Sequence, residues 1–379
     1  MNKLPAEKNR GGIDWWLLCI TLALTSLGII MVFSASQYFA SYYPYNDTFY
    51  FLKKQAFAAL LGFIGMAIAA NFPYEWIKKL TLPGFVCMIC LFTLMLVLRY
   101  AGAMDDSGGA FRWLEVGSFS FQPSEFAKFL IPLTVAFFLS QFYPYRYQKG
   151  RYYGYPLAAI VLASGMILGQ RDLSTAFVVA VAGVLMLFVA GLDLKYVVGV
   201  GLGGGGVIAL AIMTVGYRSE RIMAWLDPWN PAYTSDATWQ ITQSLMALGN
   251  GGLTGVGLGS GGSKWYYLPA RHTDFIFSVW AEEMGFLGGM LIIVLFALFI
   301  WRGMIIAIRT PDMYGSLAAM GLTASIGFQA FVNLGVVTGV LPVTGVTRPF
   351  ISSGGTSLVI SLGIVGLLLN ISRLGNRGE

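Results

Sequence analysis

The chain has 379 residues, of which 56% are hydrophobic and only 11% are charged, and its formal net charge is +6. This balance excludes an ordinary soluble globular protein and indicates a polytopic membrane protein. The positive charge then reflects loop orientation in a membrane rather than nucleic-acid binding. With roughly 20 apolar residues needed per crossing, the apolar runs divide into about ten helices. The predicted fold class is therefore all-α, with about ten transmembrane helices.

The N-terminal half begins with a predicted cytoplasmic tail, residues 1–14, which carries Lys3, Lys8 and Arg10. The first helix runs from Trp15 to about Ser34. Its apolar run is longer than the ~7–15 residues of a signal-peptide core, so a retained anchor is favoured over a cleaved signal peptide. The next helices are predicted at about 51–71, 81–98 and from Pro123 onward.

The middle of the chain contains two shorter predicted helices, 155–169 and 174–191, separated by Gln170-Arg171-Asp172-Leu173. Charges at such depth predict a broken element that lines a cavity. A helix at 196–215 leads to a large outer loop, about residues 216–273, that precedes the eighth membrane helix. The remaining predicted segments are helices at 274–301, 314–337 and 356–371 within a single membrane domain, 15–373, and a tail at 374–379.

The distribution of basic residues predicts the orientation of this bundle. Short loops that carry an excess of lysine and arginine stay on the cytoplasmic side of a membrane. This rule predicts a multi-pass membrane protein with both termini cytoplasmic. The basic residues assigned to the inner side include Lys78, Lys79, Arg146, Lys149, Arg151, Arg302, Arg309, Arg373 and Arg377.

Asp274 is the predicted catalytic residue. It follows the only histidine, His272, and stands at the start of a long apolar segment. A charged group in lipid costs several kcal/mol unless it faces protein or water, so a carboxylate here indicates a functional site. If the segment is helical from Asp274, then Ser278 and Glu282 share its face. The alternative is that Asp274 only caps the helix.

Other charged residues are predicted to lie near Asp274 on the outer side. Clustered cations suit an anionic lipid-linked ligand whose pyrophosphate needs charge-assisted hydrogen bonds, and the alternative is a solvated basic rim. Glu125 and Lys128, three residues apart, can neutralise each other as a structural or a catalytic pair. His272 is a candidate proton relay or a structural hydrogen-bonding group. The predicted cations are Arg218, Arg221, Lys264, Arg271 and Arg348.

Two short motifs match familiar patterns by letter only. Cys87 and Cys90 form a CxxC inside an apolar segment, where thiols behave as small apolar residues. The GxGxxG of Gly257 to Gly262 follows no strand, so it is not a dinucleotide site, although its glycines allow tight turns or close backbone approach. With one histidine and buried thiols, a metal site would depend on carboxylates, which suit Mg²⁺ or Mn²⁺ shared with a phosphate ligand.

Six stretches in order identify a family resemblance. They are FRWLEVGSFSFQPSEFAKF, RDLSTA, RIMAWLDPW, QSLMALGNGGLTGVGLG, LPARHTDFIFSVWAEEMG and VLPVTGVTRPFISSGGTSL. Over residues 15–373 the chain resembles the SEDS family (shape, elongation, division and sporulation proteins), and GNGGLTGVGLG and GLLLNISR favour its FtsW and SpoVE branch over RodA. Two departures are RDLS, where the family has a Pro-Asp-Gly-like run, and TRPFISSGG, which places Arg348 and Ser353 where an apolar residue and a tyrosine are common.

The resemblance implies a peptidoglycan glycosyltransferase that polymerises lipid II on the outer face of the cytoplasmic membrane, in cell division or sporulation. It implies an inverting reaction with a lipid-pyrophosphate leaving group, and a class B penicillin-binding protein as partner. Asp274 matches the family's catalytic aspartate, and Trp113, Glu125 and Lys128 match functionally important outer positions. Ser353 is kept as a supporting candidate. Arginines, lysines or a divalent cation would stabilise the pyrophosphate.

Two other classes of function fit the same pattern. A lipid II flippase would use the polar cavity to carry substrate across the membrane with no reaction, and broken helices with about ten crossings suit it equally. A structural scaffold is the third possibility, although it leaves the intramembrane acids without a purpose. Product chains from externally supplied lipid II distinguish the polymerase from both.

Overall fold

The computed structural model describes residues 11–42, 45–101, 113–116, 119–213, 222–223, 225–230, 236–265 and 268–375. These residues form a helical bundle with one two-stranded hairpin. The elements are α1 (Trp15–Ala40), α2 (Tyr50–Asn71), α3 (Tyr74–Tyr100), β1 (Leu114–Val116), β2 (Phe119–Phe121), α4 (Ala127–Gln141), α5 (Lys149–Gly169), α6 (Leu173–Val189), α7 (Leu194–Met213), α8 (Asp236–Gly251), α9 (Ile276–Arg309), α10 (Met313–Val337) and α11 (Gly355–Gly375).

The predicted fold class is confirmed. Within the described ranges, eight helices are long and apolar enough to cross a membrane, and α6 is a shorter apolar helix. Together with α7, these helices coincide with the ten predicted segments. The hairpin is antiparallel and pairs Leu114 with Phe121. It leads directly into a 3₁₀ turn at Pro123–Phe126 and then into α4.

Close backbone contact joins α2 and α11, the most extensively paired helices of the bundle. A Cβ on Gly62 would lie 2.4 Å from Leu362, and a Cβ on Gly366 would lie 2.4 Å from the Met66 carbonyl oxygen. Membrane helices gain little from apolar burial against each other, so they associate through such close packing of small residues. At one end of this pair, Asn370 Nδ2 donates to the carbonyl oxygens of Ala69 and Phe72.

The two ends of the described chain meet at one end of the bundle. The Gly11 amide donates to the Arg373 carbonyl oxygen, and the Asp14 amide donates to Ser372 Oγ. The Asp14 side chain caps α1 through the Leu17 amide and also pairs with Arg302. Residues 11–14 therefore lie beside residues 372–373, and the cytoplasmic location of both termini stays a prediction.

Several predicted boundaries were too short. Helix α1 continues to Ala40 rather than Ser34, and α3 begins at Tyr74 rather than near 81. Both extensions contain polar or aromatic residues that suit the membrane interface, where helix formation does not require an apolar run. The predicted loop 216–273 contains an unpredicted helix, α8, whose Ser244 hydroxyl lies 2.7 Å from both Ser278 Oγ and the Val337 carbonyl oxygen.

Helix α9 is interrupted at Gly285, whose φ of 65° and ψ of −167° are not helical. A glycine-rich segment, residues 251–264, fills the interruption with backbone hydrogen bonds. The amides of Val256 and Gly257 donate to the carbonyl oxygens of Glu282 and Glu283. On the other side of the break, the amides of Phe286 and Leu287 donate to the carbonyl oxygens of Gly252 and Leu253. The break therefore leaves these four peptide groups satisfied, as an apolar surrounding demands.

This arrangement explains the glycines of the segment, which we call the glycine loop. A Cβ on Gly251 would lie 2.0 Å from the Ala281 carbonyl oxygen. A Cβ on Gly255, which has a φ of 83°, would lie 2.1 Å from the Glu283 carbonyl oxygen. Both glycines lie before the GxGxxG motif for which a tight turn or close backbone approach was predicted. Within that motif, Gly257 and Gly259 have φ values of 102° and 78° and supply tight turns.

Candidate active site

Asp274 lines a polar cavity of about 210 Å³ at one end of the bundle. The wall comes from segments distant in the sequence: the residues that flank the hairpin, the starts of α4, α6 and α11, the turn before α9, the middle of α10 and the loop after it. Its described lining residues are Trp113, Gln122, Glu125, Lys128, Asp172, Thr175, Val178, Thr273, Asp274, Gln329, Gly345, Val346, Thr347, Ser353, Gly354 and Ser357.

Asp274 lies in a turn and not in a helix. Helix α9 begins at Ile276, so the predicted helical face shared by Asp274, Ser278 and Glu282 is wrong. Ser278 is buried against Ser244, and Glu282 accepts hydrogen bonds from the glycine loop at Ser263. These two side chains hold α9 to its neighbours, while the partly buried Asp274 carboxylate belongs to the cavity.

Three consecutive backbone carbonyls hold the turn that carries Asp274. The His272 carbonyl oxygen accepts from the Ser353 amide at 2.9 Å, and the Thr273 carbonyl oxygen accepts from Ser352 Oγ at 2.7 Å. The Asp274 carbonyl oxygen accepts from Asn333 Nδ2 at 2.8 Å. These long-range bonds keep the three residues out of the helical ladder, which is why the helix starts later than predicted.

Glu125 and Lys128 form a buried ion pair in the cavity wall. Lys128 Nζ lies 2.6 Å from the Glu125 carboxylate, and both side chains are about 6% exposed. Lys128 Nζ also donates to Gln329 Oε1 at 3.0 Å, and Gln329 Nε2 donates to the Thr347 carbonyl oxygen. The pair therefore links α4 to α10 and to the loop that follows α10. The predicted pairing is present, and its role in function stays a prediction.

Asp172 confirms the predicted broken element that lines a cavity. It sits between α5 and α6 after Arg171, whose backbone is left-handed at a φ of 62°. Its carboxylate accepts from the Thr175 amide as the N-cap of α6, and from Gln122 Nε2 and Ser124 Oγ. The buried carboxylate thus ties the start of α6 to the segment that follows the hairpin.

The predicted cluster of cations around Asp274 is not what the described residues show. Lys264 is buried in an ion pair with Glu283, at 2.9 Å between Nζ and Oε1, and Ser34 Oγ also donates to that carboxylate. Neither Lys264, Arg271 nor Arg348 lines the cavity; within the described part of its wall the cation is Lys128. The predicted topology placed Lys264 near Asp274, but a buried lysine needs a carboxylate partner, and Glu283 at the α9 break supplies it.

Arg271 and His272 pack against aromatic rings on α1 and α2. The Arg271 guanidinium lies 5.0 Å from the ring centre of Phe39, and the His272 ring lies 4.6 Å from that of Phe51. Burial, together with the nearby charge of Arg271, lowers the pKa of His272 to about 4. His272 is therefore neutral at physiological pH and does not line the cavity, so its role as a proton relay stays a prediction.

Arg348 is buried behind Asp274. Its guanidinium lies 4.1 Å from the ring centre of Phe277, and its Nε donates to Asn333 Oδ1 at 2.9 Å. Burial lowers the pKa of Arg348 to about 9. No ion pair of Arg348 with a carboxylate occurs among the residues that the structure describes.

The remaining predicted residues divide into two groups. Trp113, 41% exposed, and Ser353 both line the cavity, and Ser353 also holds the His272 carbonyl oxygen through its amide. Arg218 and Arg221 lie outside the described residues, so their predicted roles rest on sequence alone.

A metal cage formed by protein side chains alone is not present in the described ranges. Nowhere in them do three His, Cys, Asp or Glu side chains come together in a metal-binding cluster. Glu125 is occupied by Lys128, and Asp172 by three donors. Asp274 is the third carboxylate in the described lining of the cavity, and the predicted divalent cation stays a prediction.

Sequence reasoning missed Gln329 and Asn333. Both are buried amides on α10, four residues apart, and both bind the loop that carries Thr347 and Val346. The available signal was the spacing, since two amides one helical turn apart in an apolar helix share a face. A polar side chain in such a helix needs a partner, and that partner is not visible from the helix alone.

Comparisons with known proteins agree over nearly the whole chain. A family model for FtsW, RodA and SpoVE, described as cell cycle protein, matches residues 15–377. A probable peptidoglycan glycosyltransferase FtsW of Geobacter sp. (strain M18) is 41% identical and covers 95% of this chain and 97% of its own length. Stage V sporulation protein E of Bacillus subtilis (strain 168) is 42% identical with the same coverage of both chains.

Two solved structures share this architecture. One, from a study of how a peptidoglycan synthase complex coordinates polymerization and crosslinking, has a TM-score of 0.73 at 28% identity and covers 95% of this chain and 98% of its own. The crystal structure of the rod shape determining protein RodA of Thermus thermophilus has a TM-score of 0.68 at 28% identity, covering 95% and 97%.

Proposed function

This chain belongs to the FtsW, RodA and SpoVE family of cell cycle proteins, and on that premise we propose that it is a peptidoglycan glycosyltransferase that polymerises lipid II. The relatives at 41% and 42% identity are FtsW and SpoVE proteins, which places the chain in that branch. The observation that carries the mechanism is the Asp274 carboxylate in one cavity with the buried Lys128 and Glu125 pair.

The reaction joins two saccharides. A hydroxyl of the acceptor attacks the anomeric carbon of the donor while the bond from that carbon to the lipid pyrophosphate breaks, through an oxocarbenium-like state and with inversion. Asp274 takes the proton of the attacking hydroxyl as general base. The electron pair of the breaking bond leaves with the pyrophosphate, so no proton donor is required there.

Negative charge gathers on the departing pyrophosphate, and the cavity supplies a cation against it. We assign this role to Lys128, whose ammonium group is fixed by Glu125 and Gln329. A fixed cation stabilises developing charge without reorganising during the reaction. A divalent cation, Mg²⁺ or Mn²⁺, is also proposed; Asp274 would help to hold it, and it would supply positive charge against the phosphates of the ligand.

The membrane setting follows from the same proposal. The cavity end of the bundle would face the outside of the bacterial cytoplasmic membrane, and the end where Gly11 meets Arg373 would face the cytoplasm. The partner is proposed to be a class B penicillin-binding protein, whose transpeptidase cross-links the new strand. The likeness to a chain of a peptidoglycan synthase complex supports this pairing.

The test is polymerisation by the purified protein, with lipid II supplied from outside proteoliposomes, with and without a class B penicillin-binding protein and Mg²⁺ or Mn²⁺. Growing glycan chains support the proposal. Transfer of lipid II between leaflets without chain growth would instead identify a flippase. If the protein showed neither activity, a structural scaffold would be the remaining function.

One substitution connects the assay to the cavity. Asp274→Asn is expected to abolish chain growth and leave the thermal unfolding temperature unchanged. The matched control is Asp312→Asn, because Asp312 caps α10 at the opposite end of the bundle and asparagine caps helices equally well. Undiminished product from Asp274→Asn would remove Asp274 from the mechanism.

A further inference from the structure

Asn333 lies next to the turn that carries Asp274, and its side chain binds two separate backbone segments. Its side chain is 1% exposed, and its Nδ2 donates both to the Asp274 carbonyl oxygen at 2.8 Å and to the Val346 carbonyl oxygen at 2.7 Å. Gly345, next to Val346, lines the cavity opposite Asp274, since a Cβ there would lie 3.6 Å from Asp274 Oδ2. One amide group therefore holds both backbone segments that flank the Asp274 carboxylate.

Arg348 fixes the orientation of this amide. Its Nε donates to Asn333 Oδ1 at 2.9 Å. Because a guanidinium has only donors, it selects the oxygen of the amide and leaves Nδ2 to face the two carbonyls. Without the arginine the amide could turn over, which would place its oxygen against two carbonyl oxygens. The buried Arg348 thus keeps the Asn333 amide in the orientation that binds both carbonyls.

We infer that Asn333 is a positioning residue for Asp274, and that Arg348 sets the orientation of Asn333. The inference rests on the proposed function, in which Asp274 is the general base. Asn333 and Arg348 take no part in the reaction themselves. Turnover depends steeply on the placement of the base, and a displacement of 1 Å can lower it on the order of 10²-fold. Binding of the saccharide elsewhere in the cavity depends on it much less.

The first test is kinetic and uses Asn333→Asp. This change keeps the size of the side chain, retains a partner for Arg348 and removes both donors to the carbonyls. In the lipid II assay kcat is expected to fall by about 10²-fold, with KM for lipid II unchanged. The matched control is Asn370→Asp, since Asn370 is equally buried and also donates to two backbone carbonyls, but at the other end of the bundle. Equal losses of kcat in the two variants would overturn the inference.

Arg348→Met supplies a readout that a purely structural role would not give. Burying an unpaired guanidinium is costly, so methionine is expected to leave the unfolding temperature unchanged or to raise it. The amide loses its orienting donor, so kcat is expected to fall. A variant that is stable and fully active would contradict the role given to Arg348.

The last test does not depend on polymerase activity. A spin label is attached at Asp274→Cys in a chain whose three natural cysteines are replaced by alanine. Those residues, Cys19, Cys87 and Cys90, are exposed on the helices and not buried as predicted. Adding Asn333→Asp is expected to increase label mobility, while adding Asn370→Asp leaves it unchanged. Unchanged mobility with Asn333→Asp would overturn the inference even if the protein polymerises lipid II, and increased mobility would support it even if it does not.

Discussion

Lys264 and Glu283 form an ion pair in which both side chains are 1% exposed, at 2.9 Å between Nζ and Oε1. The pair fastens the end of the glycine loop to the α9 break, and Ser34 on α1 donates to the same carboxylate. Removing one member leaves a buried charge without its counter-charge, which costs far more than the pair contributes. The consequence can be measured.

Lys264→Met is expected to destabilise the protein by about 3–5 kcal/mol, because Glu283 stays buried without a cation. Adding Glu283→Gln should recover most of the loss, since glutamine still accepts from Ser34 and carries no charge. Thermal unfolding in detergent measures both effects. The control is Lys149→Met, which breaks a 2.6 Å pair with Asp193 in which both side chains are well exposed, and which should leave stability unchanged. A double variant no more stable than Lys264→Met would argue against charge burial as the cause.

Charge exchange at Glu125 and Lys128 is expected to restore activity only in part. Either single reversal places two like charges in a buried site and should abolish polymerisation. The double exchange re-forms an ion pair, but it sets a carboxylate against Gln329 Oε1, which now accepts from Lys128. Gln329 cannot turn over without losing its bond to the Thr347 carbonyl oxygen.

Glycan product from the two single variants and the double variant tests this expectation. Adding Gln329→Lys to the double exchange supplies a donor to the new carboxylate, and it should raise activity further. No recovery in either combination would mean that the identity of the cation at position 128 matters more than the pairing.

Because His272 is buried, the protein is expected to lose stability at mildly acidic pH. Its pKa is lowered from 6.5 to about 4 by burial and by Arg271, so the folded protein holds a neutral ring where the unfolded chain binds a proton. The contribution of His272 to stability should therefore be constant above pH 6.5 and should fall between pH 6.5 and 4, because the unfolded state binds more protons there. The loss is of order 2 kcal/mol after allowance for the ring's partial exposure.

Unfolding temperatures measured from pH 7.5 to 4.5 test this dependence against His272→Gln. The variant lacks the titrating ring, so its stability should fall less over the same interval. Parallel curves for the two proteins would assign the pH dependence to other groups.

The sequence predicted the membrane helices well because each apolar run is long and nearly free of charge. Asp274 and the Glu125 and Lys128 pair were also predicted, since an ion near lipid needs a local reason to be there. What failed depended on partners distant in the chain. Lys264 was assigned to Asp274 although it pairs with Glu283, and Asn333 was overlooked because its acceptors lie on two other segments. Helix α9 begins at Ile276 rather than at the predicted residue 274 for the same reason, since distant segments of the chain bind the turn before it.

The glycine loop contains a position, Gly255, at which a side chain should not be tolerated. Gly255→Ala is expected to destabilise the protein strongly, because its left-handed backbone costs an alanine roughly 1–2 kcal/mol and its Cβ would overlap the Glu283 carbonyl oxygen. That carbonyl cannot retreat without breaking its bond from the Gly257 amide. The matched control is Gly203→Ala on α7, which has open space around its Cβ position and a helical backbone. Alanine favours a helix over glycine by about 1 kcal/mol, so this control should unfold at the same temperature or higher. If Gly255→Ala unfolds like the control, the loop does not need the close contact that satisfies the break in α9.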